Sequence, residues 1–363
     1  MEVFMAVIGK KVCDLAPGND NPRNSEGAFI TLKDGRIMFV YSRFFGDSWH
    51  DYAPAHIAAR YSADGGITWS AEDRILFTRE QFDAENIMSV SLLRLPDDTI
   101  ALFFIIRYGW HDSREYMFTS NDEGETWSKG TCCVPPVGYY VTNNDRAIRT
   151  QSGRLLVPGN LHREKAGHTF DERGIAYFFY SDDNGATWEE SPDCCFPPSN
   201  KITSGLQETA LVELKNGTIW ALFRTNIGRQ YQSFSFDGGL HWTDPAPSYF
   251  TAPTSPISVK RLPDCRLLAV WNPTPLYHNR DRSNDGGWGG RTPLVAALSS
   301  DEGSTWTNTY ILEDGSEDAG YCYCAIHPME DAVLLAYCAG SRTDGGCLNR
   351  LRIRRIDLKE FTS

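Results

Sequence analysis

The sequence predicts an all-β chain folded as one six-bladed β-propeller over residues 1–363, and three observations carry that prediction. An eight-residue motif, Ser-x-Asp-x-Gly-x-Thr-Trp, recurs five times with its tryptophans at 69, 127, 188, 242 and 306, 54 to 64 residues apart. A fixed period of that length marks a repeat architecture with one four-stranded sheet per copy. Strand-like runs arrive in threes before each copy, and no stretch competes with a helical period of useful length. No Pro/Ser-rich or charged linker interrupts the chain, and a closed ring of small sheets reaches this length without splitting.

The copies are Ser62–Trp69, Ser120–Trp127, Ser181–Trp188, Ser235–Trp242 and Ser299–Trp306, with His241 in the threonine place of the fourth. Each reads as a tight turn in which the carboxylate (Asp64, Asp122, Asp183, Asp237, Asp301) accepts backbone N–H groups while the glycine takes a left-handed conformation. The tryptophan then fills the gap between neighbouring sheets. A catalytic carboxylate is not needed five times, so these aspartates are structural. The motif lacks the distal bidentate glutamate of a calcium loop, and no metal is expected.

The strand sets run 27–32, 36–44 and 56–61; 89–95, 99–107 and 116–119; 146–150, 154–161 and 174–180; 208–214, 218–225 and 230–235; 256–262, 266–272 and 292–298; and finally 321–327, 332–338 and 348–356, a sixth set with no motif of its own. Residues 3–12 are expected to add the outer strand of the last blade and so leave no sheet edge open.

A formal charge of −12 argues against nucleic acid and anionic membranes as partners, because both select a basic surface. No apolar run of about 18 residues exists to span a bilayer. The short apolar patch at 3–8 precedes Lys10 and Lys11, the reverse of a secretory signal. Two pairs of the ten cysteines are adjacent, Cys132-Cys133 and Cys194-Cys195, and adjacent cysteines rarely have bridging geometry. The expectation is reduced thiols in a cytoplasmic protein.

In a propeller, ligands collect at the end of the axis opposite the repeated turns. Function is therefore expected at the starts of inner strands and in the loops beside them. Glu208 opens the inner strand of the fourth set, and Arg224 ends the strand that returns beside it. Arg291 enters the third strand of the fifth set from the same side, Tyr321 heads the inner strand of the sixth, and Asp51 lies in the long loop 45–54 with His50.

Taken in that order, the motifs, an acidic loop residue, a glutamate followed by an arginine, a further arginine and a late tyrosine, the chain resembles the sialidase (neuraminidase) superfamily. The resemblance implies a retaining exo-glycosidase, free of cofactors, that releases a terminal acidic sugar from an oligosaccharide or glycoconjugate. Arg224 and Arg291 would be two members of an arginine triad, whose planar forks match a sugar carboxylate. Tyr321 would be the nucleophile, with Glu208 drawing off its phenolic proton, because a phenol of pKa near 10 is a poor nucleophile at neutral pH. Asp51 would protonate the leaving oxygen and later activate water. Arg43 resembles a family arginine that touches sugar hydroxyls. The family's first triad arginine lies in an Arg-Ile-Pro motif, where this chain has Asn24-Ser25-Glu26-Gly27 with Arg23 just upstream, a departure that bears on the substrate.

Asn144 and His162 are further candidates for ligand contact. Tyr323 shares a strand face with Tyr321 and is its rival for nucleophile, with Tyr139 and Tyr140 as distant ones. Trp49, Trp110, Trp271 and Trp288 stand outside the motifs as possible sugar platforms. Two other functions compete: a glycan-binding propeller without turnover, and a uronic-acid glycosidase or polysaccharide lyase using tyrosine with His50 or His162.

Overall fold

The computed structural model describes residues 7–165, 169–276 and 288–361, and its regular structure is almost entirely strand. Six antiparallel meanders follow one another. The first comprises Asn24–Thr31, Ile37–Phe44, Ala55–Ser62 and Arg74–Thr78; the second, Asn86–Arg94, Ile100–Gly109, Asp112–Ser120 and Thr131–Cys132. The third comprises Ile148–Arg149, Leu155–His162, Ile175–Ser181 and Glu189–Glu190; the fourth, Gln207–Glu213, Ile219–Arg224, Arg229–Ser235 and Ala246–Thr251. The fifth is Ser258–Arg261, Leu267–Trp271, Leu294–Ser299 and Tyr310–Glu313; the sixth is Cys322–Pro328, Ala332–Cys338 and Leu351–Asp357, with N-terminal Lys10–Leu15 outside it.

Burial follows position in the meander. Ile100–Gly109, a second strand, is buried at nearly every residue because both faces are covered, whereas Asp112–Ser120, a third strand, alternates. The core is divided among the gaps between neighbours. Met38 and Val40 of the first meander pack with Leu102 and Phe104 of the second, Phe103 with Val157 and Phe179, and Leu156 and Phe178 with Leu211 and Phe223. The series continues through Trp220 with Val259 and Trp271 and Leu268 with Ile326 and Leu335. It ends where it began, with Leu334 and Ile353 of the sixth meander against Phe29 and Phe39 of the first.

The repeated motifs form the turns after the third strands, as their chemistry predicts. Asp64 Oδ1 accepts the Thr68 N–H at 2.9 Å and the Ser62 hydroxyl at 2.8 Å, Oδ2 accepts the Thr68 hydroxyl at 2.6 Å, and Trp69 Nε1 donates to the Gly66 carbonyl at 3.2 Å. In the fourth motif the His241 ring takes the threonine's role, 2.7 Å from Asp237. The hydroxyl and backbone donors around Asp64, Asp122 and Asp183 hold these carboxyls down to about 2. The glycine before each Thr-Trp pair leans on the preceding meander. A methyl on Gly66, at φ 84°, would fall 2.7 Å from Leu334 of the sixth meander, and one on Gly303 would fall 2.7 Å from Trp220 of the fourth.

Two details depart from expectation. The N-terminal strand pairs with the sixth meander as predicted, but from Lys10↔Arg355 to Leu15↔Leu351 rather than over 3–12, with a bulge between Lys11 and Cys13 that turns Cys13 and Leu15 onto the core. Residues 3–6 lie outside the described residues. The second and third meanders are also joined into one nine-stranded sheet, because Tyr139–Val141 pairs with Leu155–His162 and meets Ser113 in parallel at Tyr139. Three residues carry too weak a strand signal for sequence to reveal.

Candidate functional site

One backbone device builds most of the site. Near the start of the first strand of four meanders, the pairing register slips and a non-glycine residue sits in the left-handed region: Glu26 at φ 57°, Ser89 at 66°, Glu208 at 48° and Tyr323 at 58°. Such a bulge re-aims a side chain, and left-handed non-glycine residues cost roughly 1–3 kcal/mol each, a strain that clusters at functional sites. All four line a single cavity of about 400 Å³ at the end of the molecule opposite the aspartate turns.

At one wall, Tyr323 Oη donates to Glu208 Oε1 at 3.0 Å. Arg224 Nη1 lies 2.6 Å from the same carboxylate oxygen and 3.4 Å from the phenol. The Arg291 guanidinium stands 5.3 Å from the centre of the Tyr323 ring. Its partners among the described residues are soft or neutral: Cys322 Sγ at 3.3 Å, Cys347 Sγ at 3.6 Å and the Thr254 carbonyl at 3.5 Å. Burial and the Glu208 charge push the Tyr323 phenol well above its ordinary value, against the opposing pull of the two guanidiniums. The resting phenol therefore keeps its proton, with an acceptor already in contact.

Across the cavity stands Asp51, its side chain 69% exposed and 2.5 Å from Arg23 Nη1. Burial of the site pushes the Asp51 carboxyl up, but Arg23, helped by Arg291 and Arg224, outweighs it and holds the group below its ordinary value. Arg23 is fully buried and spends five hydrogen bonds on its neighbours: Ser25 Oγ twice, the Trp49 carbonyl, Asp51, and Glu26 Oε1 at 2.8 Å. Glu26 Oε2 in turn accepts the Ser89 hydroxyl. Burial raises the Glu26 carboxyl above its ordinary value despite Arg23.

The expected residues thus separate into two groups. Asp51, Glu208, Arg224, Arg291, Tyr323, His50 and His162 line the cavity. Tyr321, read from sequence as the nucleophile, does not: it is fully buried between the fifth and sixth meanders, edge-on to Tyr337, with no partner for its hydroxyl among the described residues. The bulge turns Tyr323 toward the cavity and leaves Tyr321 in the core. Arg43 is drawn away by Asp73, 3.0 Å from its Nε. Arg23 is committed to Asp51 and Glu26, and Asn144 serves the backbone by donating to the Gly27 and Tyr323 carbonyls. Trp271 is core and Trp288 carries Arg342 on its face. Tyr140 is core, whereas its neighbour Tyr139 reaches the cavity.

Sequence reasoning missed Arg107, Asn86 and Gln207, which also line the cavity. Their signal was positional. Arg107 pairs with Asn86 near the end of the second meander's second strand, as Arg224 pairs with Gln207 at the end of the fourth meander's. A row of rings crosses the rim: Trp49 on His50 at 4.4 Å, His50 on Tyr52 at 5.1 Å, Tyr52 to Trp110 at 6.4 Å and Trp110 on Tyr139 at 5.3 Å. Among the described residues, no group of three or more His, Cys, Asp or Glu side chains is placed to hold a metal ion.

Residues 43–335 match the BNR repeat-like domain. The chain is 29% identical over 270 residues to the anhydrosialidase of Macrobdella decora, an alignment covering 68% of this chain and 32% of that protein. It is 27% identical over 271 residues to a sialidase of Paraclostridium sordellii, covering 63% of this chain and 64% of that one. The chain thus spans less than two thirds of the length of either relative. The crystal structure of the intramolecular trans-sialidase from Ruminococcus gnavus superposes with a TM-score of 0.70 at 14% identity, over 99% of this chain and 98% of that one. With its five aspartate turns inside or beside the matched span, this chain belongs to the BNR repeat-like family of the sialidase superfamily.

Proposed function

We propose that the six meanders are the blades of a six-bladed propeller and that the chain is a retaining exo-glycoside hydrolase releasing a terminal acidic sugar from a glycan. The observation that carries this reading is the contact of Tyr323, Glu208 and Arg224 on a cavity wall facing Asp51. The names of the sialidase relatives support the reaction class.

Arg224 and Arg291 receive the sugar's carboxylate, Arg291 with no carboxylate of its own among the described residues. An anionic nucleophile would meet that substrate charge with repulsion, and a neutral phenol avoids it. As Tyr323 Oη bonds to the anomeric carbon, its proton passes to Glu208 Oε1 and the glycosidic bond breaks toward its oxygen. Asp51 supplies the proton to that oxygen, then takes one from the water that releases the sugar from Tyr323. Arg23 sets Asp51's orientation and, by holding its carboxyl below its ordinary value, eases release of the proton to the leaving oxygen, while Glu208 returns the phenolic proton to Tyr323 as the sugar departs. The ring row at the rim offers the remaining glycan flat apolar faces.

The test is turnover of the purified chain on aryl glycosides of sialic acid, other 2-keto acid sugars and uronic acids, beside Tyr323→Phe and Tyr321→Phe. Release of the aryl alcohol by the unmodified chain, lost in the first variant and kept in the second, is the expected result. No turnover on any glycoside, or full activity in Tyr323→Phe, overturns the proposal. An unsaturated uronate product would move the assignment to the lyase alternative.

A further inference from the structure

Arg107 is the cavity's third guanidinium, and its setting differs from that of Arg224. Arg224 ends the second strand of the fourth meander opposite Gln207, and Arg107 lies near the end of the second strand of the second meander opposite Asn86. The bulged residue beside Arg224 is Glu208, which neutralises it at 2.6 Å. The bulged residue of Arg107's own meander is Ser89, uncharged, its hydroxyl given to Glu26. Arg107 has one carboxylate partner among the described residues, Glu85 at 3.2 Å, whose side chain is 56% exposed.

The rest of its surroundings fixes the group and leaves its charge open. Arg107 is 3% exposed, its guanidinium lies 4.5 Å from the Trp110 ring centre and 5.8 Å from that of Tyr139, and its Nε has no hydrogen-bond partner among the described residues. A desolvated cation in a ligand cavity, paired with a carboxylate that is itself mostly exposed, is well placed to exchange that partner for a bound anion. The Arg23 charge cannot serve a ligand in the same way, because Asp51 and Glu26 consume it. The cavity therefore has two cationic walls, Arg291 beside the Glu208-paired Arg224 at one and Arg107, paired with the exposed Glu85, at another, with Glu26 and Asp51 also on its lining.

We infer that the substrate is a doubly anionic glycan, with the terminal carboxylate at Arg224 and Arg291 and a second anionic group at Arg107. This rests on the acidic-sugar reading above. The second anion could be an ester on the same sugar or a carboxylate on the next one, and both present the oxygens that a guanidinium binds.

Calorimetric titration of the full chain with sialic acid, a sulfate ester of sialic acid, and a disaccharide of two sialic acids separates these sources and needs no turnover. The expected result is that at least one doubly anionic ligand binds about tenfold or more tightly than sialic acid, with the advantage shrinking as salt is raised. That ratio should collapse toward one in Arg107→Met and persist in part in Arg107→Lys. Glu85→Gln, a change at an exposed side chain, should increase it by removing the competing carboxylate. Equal affinities for all three ligands, no binding of either doubly anionic ligand, or a ratio indifferent to both Arg107→Met and Glu85→Gln would overturn the inference. A chain that shows the Arg107-dependent preference yet hydrolyses no glycoside would retain this inference and lose the hydrolase reading; turnover of sialosides without the preference would do the reverse.

Discussion

The two ends of this molecule spend acidic side chains in opposite ways. At the turn end, Asp64, Asp122, Asp183, Asp237 and Asp301 each satisfy their oxygens within their own eight residues, through contacts repeated almost unchanged. At the cavity end the partners reach across the chain and differ from group to group: Arg23 and Ser89 for Glu26, Arg23 for Asp51, Arg224 and Tyr323 for Glu208. Repetition marks the scaffold, while divergence at equivalent positions marks the chemistry. The bulge residues make the point: one backbone conformation presents Glu26, Ser89, Glu208 and Tyr323.

Removing Glu208's proton-accepting role breaks the cavity side of this comparison most severely. Glu208→Gln should lower kcat by about 10²–10⁴-fold, measured on an aryl sialoside, because the phenol then has no base in contact. Asp51→Asn should cost far more on a glycan with a poor leaving group than on an aryl glycoside with a good one, which needs little proton donation. A uniform loss on both would count against Asp51 as the acid. Because Arg23 holds the Asp51 carboxyl below its ordinary value, the protonated acid becomes scarcer as pH rises. kcat/KM should therefore increase toward acid pH and fall steadily through neutrality, as a pH profile would read directly.

Changes at the turn end should touch stability and spare chemistry. Gly66→Ala forces a side chain onto a φ of 84° and against Leu334, and should lower unfolding free energy by roughly 1–3 kcal/mol in urea titration with KM unchanged. The pH dependence of this face is smaller and of known sign. Asp64, Asp122 and Asp183 have folded values near 2 against an ordinary 3.8, so the unfolded chain binds protons first as pH falls. Their stabilisation is complete above about pH 4 and is lost between there and pH 2, which acid unfolding of Asp122→Ala beside the unmodified chain would register as a narrower loss.

The architecture was legible because its signals are local. Five turns satisfy themselves within eight residues, and the second strands announce burial on both faces by continuous apolar runs such as Ile100–Ile106. The cavity was legible only where position in a meander was used. Glu208, Arg224, Arg291 and Asp51 were found by their places at strand ends and loops. Tyr321 was preferred to Tyr323 because the strand's start was counted rather than aligned. Matching Ala28, Ala210 and Ala325, the first paired residues after three bulges, sets Tyr323 in register with Glu26 and Glu208 and leaves Tyr321 two residues behind. The same alignment sets Ile105 against Arg224, so Arg107, two residues further along, was legible only from its place near a strand end. Arg43 also stands near the end of a second strand, and nothing local reveals that Asp73, thirty residues on, claims it.

Mechanism-based labelling tests the central claim, that divergence at the bulges places the nucleophile at Tyr323. The unmodified chain, treated with a fluorinated acidic glycoside that slows release of the bound sugar and then digested and sequenced by mass spectrometry, should carry the sugar on Tyr323. A label on Tyr321 or on any other residue would contradict this account.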